Sequence, residues 1–97
     1  MAAYVIAEID IADPEGYKAY TSIVPATIAL YGGRFLVRGG AAEVLEGDWP
    51  PLRRVLLEFP SAEAARAWWD SPEYAKPKAL RRAASRGRLI LLEGFDG

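Results

Sequence analysis

The side chains with chemistry to offer are three arginines and three glutamates set in short apolar stretches: Glu8, Arg34, Arg38, Glu43, Arg54 and Glu58. A guanidinium carries a permanent charge and a planar fork of donors that matches a carboxylate or enolate. A glutamate withdrawn from water has a raised pKa and can act as a general base. The set therefore admits proton transfer on a small anion, with Arg34 or Arg38 holding the anion and Glu8 or Glu58 moving the proton. It equally admits acids and bases that pair with one another across strands and do nothing more. Arg54 and Tyr4 fall on the same alternation and could line a pocket, and Trp49 could close its mouth or pack on the neighbouring turn.

The absences narrow the chemistry further. The 97 residues contain no cysteine and no histidine. This excludes a disulfide scaffold, Cys or His zinc sites, a thiol nucleophile, a Ser–His dyad and a His-ligated haem. No metal site and no cofactor is read from the residues. The net charge of −1 offers no global field to attract nucleic acid or an anionic membrane. The one basic run, from Lys76 and Lys78 through Arg81, Arg82, Arg86 and Arg88, reads as a solvated helix face rather than a phosphate or nucleic-acid site. The glycine pairs Gly32-Gly33 and Gly39-Gly40 do not lie between a strand and a helix start, so they are not phosphate cradles. With no apolar run of membrane length and no leader-like start, the expected address is the cytoplasm.

The elements that must position these groups follow from periodicity. One domain is expected over residues 1–97. Ala3 to Ile11 alternates, with Val5, Ala7 and Ile9 on one face and Tyr4, Ile6 and Glu8 on the other. Asp13-Pro14-Glu15 reads as a helix start capped by Asp13, and Tyr17, Tyr20, Val24, Ile28 and Tyr31 form a helical stripe. Pro25 should kink that helix, with Thr21 and Ser22 near the freed groups, and Gly32 should end it. Arg34 to Arg38 reads as a strand. Gly39-Gly40 suits a two-residue hairpin into a partner strand, Ala41 to Glu46, followed by a proline-stiffened loop. Arg53 to Phe59 is the next strand. Ser61 and Ser71-Pro72 start two helices, with Pro77 expected to confine the regular part of the second to the residues after it. Arg88 to Leu92 closes the order as a strand, and the last four residues should fray.

This order is an α+β, ferredoxin-like βαββαβ pattern: an antiparallel sheet with helices on one face. The uncovered face would collect Tyr4, Ile6, Glu8, Arg34, Leu36, Arg38, Glu43, Leu45, Arg54, Leu56, Glu58, Ile90 and Leu92. Its apolar middle is larger than a monomer ordinarily shows to water, so two chains are expected to pack sheet against sheet. A small organic ligand, anionic if one arginine is left unpaired, would sit in a cavity between the sheets.

The segments G-G-R-F-L-V-R-G-G, E-V-L-E-G-D-W, R-V-L-L-E-F-P-S, A-R-A-W-W and S-P-E-Y, in this order and spacing, resemble the domain-of-unknown-function 1330 family from Ala3 to Gly94. The resemblance implies a ferredoxin-like subunit of the dimeric α+β-barrel group, pairing through its sheet. It implies no settled activity. The wider group includes cofactor-independent monooxygenases, isomerases and haem enzymes, and the haem branch is disfavoured without histidine. Relatives often carry His where this chain has Tyr31. Two functions follow as expectations: a homodimer that binds a small organic molecule, or a cofactor-independent monooxygenase or isomerase. A third, a purely structural module, requires a solid interior.

Overall fold

The architecture is described from a computed structural model, for residues 1–95. β1 (Ala3–Ile11) is central because its inward residues Ala3, Val5, Ala7 and Ile9 are all buried, and both its edges are paired. It runs antiparallel to β3 (Arg53–Phe59) on one side and to β4 (Ser85–Glu93) on the other. β2 (Arg34–Arg38) adds to the far edge of β3, giving the order β2-β3-β1-β4. Three helices, α1 (Pro14–Leu30), α2 (Ala62–Trp69) and α3 (Pro72–Ala84), cover one face. The core between the layers joins Val5, Ile9, Leu57 and Phe59 to Tyr17, Tyr20, Val24, Ile28, Trp68 and Tyr74. The ferredoxin-like α+β reading holds, and its second helix is two, broken at Asp70-Ser71.

Local chemistry explains the boundaries. The Ser61 hydroxyl accepts from the Ala64 amide at 3.1 Å. The Ser71 hydroxyl accepts from the Tyr74 amide at 3.1 Å and donates to the Trp68 carbonyl at 2.7 Å, which joins α2 to α3. Gly32 closes α1 with φ 77°, and the Gly33 amide donates back to the Ile28 carbonyl at 3.0 Å. Asp13 stands at the start of α1 but its carboxylate makes no cap hydrogen bond. Instead the Ala12 and Asp13 amides donate to the Ala84 carbonyl at 2.9 Å, tying the two helix ends together.

Four expectations need correction. Ala41 to Glu46 is not a strand; β2 pairs directly with β3, and residues 39–52 form an irregular connection. The reason is competition for one edge. Either face of 41–46 offers one large apolar side chain, Val44 or Leu45, whereas β3 buries Leu57 and Phe59. Gly39-Gly40 is accordingly no two-residue hairpin: only Gly39 has positive φ, at 68°, and its amide continues the ladder to the Arg54 carbonyl. Pro77 does not delay α3, which begins at Pro72; the missing amide orphans only the Glu73 carbonyl in the first turn. β4 starts three residues earlier than expected, at Ser85. At the chain end the Gly94 amide is held by the Ala2 carbonyl at 2.8 Å, and the expected fraying at Asp96 and Gly97 lies outside the described residues.

Candidate functional site

The uncovered sheet face holds most of the candidates, and pairs them off. Glu8 lies between Arg54 on β3 and Arg88 on β4 in the strand register. Its carboxylate accepts from Arg54 Nε at 3.1 Å and from Arg88 Nε at 2.6 Å. These two partners, the Arg88 hydrogen bond foremost, hold the Glu8 carboxyl below the usual glutamate range against an opposing desolvation effect. The expected raised pKa for Glu8 is therefore corrected: flanking cations keep it ionised. Glu58 faces Arg34 across β2 and β3, and Arg34 Nε donates to it at 2.7 Å. Tyr4 sits beside Glu58 and Leu92 on the same face.

Arg54 is occupied on every side. Besides Glu8 it donates to the Pro50 carbonyl at 2.7 Å and the Leu52 carbonyl at 3.3 Å, and its guanidinium lies 5.4 Å from the Trp49 ring centre. It therefore props the 39–52 connection. Trp49 is anchored within that connection, donating from Nε1 to the Glu46 carbonyl at 2.8 Å. Under the connection lies an open cleft of about 370 Å³, bounded by Val44, Leu45, Trp49, Glu43 and Arg54. It is the roomiest space next to the candidates, and its size suits a small organic ligand.

Arg38 is not on this face. A bulge between Phe35 and Val37 shifts the register, so Val37 opposes Leu56 and Arg38 opposes Val55. One extra residue reverses every side chain beyond it. Arg38 therefore turns to the helix side, where it lies 4.6 Å from the Phe35 ring centre and donates to the Thr21 carbonyl at 2.9 Å. That carbonyl is the one Pro25, lacking an amide hydrogen, leaves open in α1. The Thr21 and Ser22 hydroxyls do not fill the gap; they donate to the Lys18 and Ala19 carbonyls.

The sequence reading missed two inward arginines. Arg81 is only 4% exposed, not part of a solvated face. It shares an α3 stripe with Tyr74, Pro77 and Ala84, at spacings of three and four, which was the available signal. Arg53 follows the alternation of Val55, Leu57 and Phe59, and so points to the helix side as they do. Its guanidinium lies 5.6 Å from the Tyr17 ring centre. Around these groups the Tyr20 and Tyr74 hydroxyls share a 3.1 Å hydrogen bond, and Arg81 Nε donates to Tyr74 at 3.3 Å. Desolvation, ahead of every other cause, raises the Tyr17 and Tyr20 pKa values, so both stay neutral phenols. Trp68 and Tyr74 are core. Tyr31 lies away from all this, donating to Glu73 at 2.7 Å near the surface. No cluster of three acidic ligands that could hold a metal occurs among the described residues.

Solved structures of similar shape carry this fold. A protein of unknown function from Rhodopseudomonas palustris, RPA0582, is 22% identical, with a TM-score of 0.77 over 99% of this chain and 84% of that one. A dimeric ferredoxin-like protein of unknown function from Jannaschia sp. CCS1 is 14% identical, with a TM-score of 0.73 over 97% of this chain and 100% of that one. SnoaB, a cofactor-independent oxygenase from Streptomyces nogalater, is 15% identical, with a TM-score of 0.66 over 99% and 95%. At these identities the likeness shows the fold alone. None of the curated proteins matches this chain. Residues 2–95, nearly the entire chain, match the family described as Domain of unknown function (DUF1330), and the chain belongs to that family.

Proposed function

We propose that the protein is a homodimer, paired through its uncovered sheet face, that binds a small organic molecule. The observation that carries this reading is an apolar band whose flanking charges are already paired. Val37, Ile90 and Leu92 on the face are 43%, 56% and 42% exposed, and the neighbouring connection holds Val44 and Leu45 out to water. Glu8 with Arg54 and Arg88, and Glu58 with Arg34, flank the band. A second copy would cover the apolar groups without stranding an unpaired charge. The ferredoxin-like protein of similar shape from Jannaschia sp. CCS1, described as dimeric, supports self-association.

The ligand belongs in the cleft beneath residues 42–46, which a partner sheet would roof over. Trp49, Val44 and Leu45 favour an apolar body there. Tyr4, Arg34, Glu8 and Glu58 stand at the face as contacts of second rank. The catalytic alternative, a cofactor-independent monooxygenase or isomerase using Glu8 or Glu58 as base, is weaker. Glu8 is a poorer base than free glutamate, and Arg34 and Glu58 satisfy each other.

Native mass spectrometry under gentle conditions tests the reading. The expected result is a dimer carrying a reproducible extra mass, lost in Trp49→Ala. A monomer at micromolar protein, or a dimer that takes up no small molecule from a fragment mixture, overturns it.

A further inference from the structure

The space between the helices and the sheet carries positive charge with nothing to answer it. Arg38, Arg53 and Arg81 line it, and among the described residues no carboxylate does. Arg53 Nε is a buried atom without a hydrogen-bond partner among the described residues. Arg81 is 96% withdrawn from water, and among the described residues its side chain's one hydrogen bond goes to the Tyr74 hydroxyl. The ion pairs among the described residues involve Arg34, Arg54 and Arg88, all on the opposite face. A guanidinium cannot relieve such a position by losing its proton. A buried cation without a counter-charge is unfavourable unless something supplies one. The local phenols do not, because burial keeps Tyr17 and Tyr20 neutral.

We infer that this interior space is an anion site, in which Arg53 and Arg81 bind a small oxyanion of the carboxylate class. The chemistry fits the groups. Two guanidinium forks offer several N–H donors to coplanar oxygens, and the Tyr17 hydroxyl supplies a neutral donor beside them. The volume sets the size. The enclosed space is about 30 Å³. One water needs at least about 10–15 Å³ measured in the same way, so a few heavy atoms fit. The anion is therefore formate- or acetate-sized, or is the carboxylate head of a longer acid. Arg81 and Leu89 also line an outer groove with Arg82 and Arg86, so a groove of the same charge adjoins the space. This site lies inside one protomer's two layers, and it stands apart from the sheet-to-sheet pairing and the cleft under residues 42–46.

The test is a titration of the intact protein with sodium formate, acetate and benzoate separately, at constant ionic strength, read from the arginine Nε–H resonances in nitrogen-15 NMR. Saturable shifts are expected at Arg53 and Arg81, while Arg34 and Arg88 follow only the shallow trend of added salt. Arg53→Gln should weaken the binding by about ten-fold or more. Arg53→Lys keeps the charge but loses the fork, and should weaken it also if the Gln variant proves unfolded. Lys18→Gln, a charge lost from the exposed side of α1, should leave it unchanged. Binding of formate and acetate without benzoate assigns a free small oxyanion, and tighter binding of benzoate assigns the head of a larger acid. Absence of a saturable shift with all three probes overturns the inference, as does unchanged affinity in a folded Arg53 variant. A dimer without this titration, or this titration in a monomer, separates the two proposals.

Discussion

On the uncovered face Arg34, Arg54 and Arg88 each pair with an acid, and on the covered side Arg38, Arg53 and Arg81 find none among the described residues. The consequence at Glu8 is directional. Its folded-state pKa is depressed, so it stabilises the fold above the unfolded glutamate pKa, and that contribution is lost as pH falls through the folded value. The stability gap between wild type and Glu8→Gln should therefore shrink on acidification, measured by urea melts at a series of pH values. A gap independent of pH would mean the Arg54 and Arg88 pairing does not control Glu8. Tyr20 has the opposite sign. Its pKa is raised by burial, so the neutral phenol favours folding, and stability falls as pH rises past the ordinary tyrosine range. In an alkaline absorbance titration Tyr20→Phe should leave the ionisation seen before unfolding unchanged. An early phenolate that disappears in this variant would contradict the burial. Arg53 by parity and Arg81 by helical spacing were legible as inward residues. What hid them is the ordinary expectation that a charged side chain avoids the core.

Among the elements, α1 and β2 are joined by one side chain. Pro25 removes an amide hydrogen, and Arg38 supplies a donor to the Thr21 carbonyl in its place. Arg38→Met should cost roughly 0.5–1.5 kcal/mol in wild type. In a Pro25→Ala background the restored amide takes that carbonyl, and the cost should nearly vanish. Additive effects in the double-mutant cycle would show that the contact is incidental. Gly33 sets a separate limit on the same junction. A Cβ there would come within 2.6 Å of Phe59 Cε1 and 2.8 Å of Ile28 Cγ2, both in the core. Gly33→Ala should destabilise by about 1–3 kcal/mol through overpacking, checked by denaturant unfolding. The strands, the helix starts at Ser61 and Ser71, and the stop at Gly32 could all be read from local pattern. The bulge at Leu36 could not, because Phe35 and Val37 alternate as an unbroken strand would. The extra residue exists only relative to the partner strand.

For the whole molecule, the uncovered face is the feature most at odds with a protomer alone in water. If a second copy covers it, a single charge in the apolar band should split the pair. Ile90→Asp should convert the dimer to a folded monomer, with the mass read by light scattering and the fold by circular dichroism; an intact dimer would place the contact elsewhere. The sequence by itself determined the element order, the inward and outward faces of β1 and β3, the helix caps at the serines, and the exclusion of thiol, imidazole and zinc chemistry. Those follow from local spacing and from residues that are absent. Only the tertiary structure decided that β3 rather than 41–46 takes the edge of β2, that Arg38 faces the helices, and that Arg54 braces a loop. It also decided which arginines meet an acid and which meet only neutral groups. Strand pairing and register are contests between segments distant in sequence, settled by total apolar burial, and a charge finds its partner only after that contest ends.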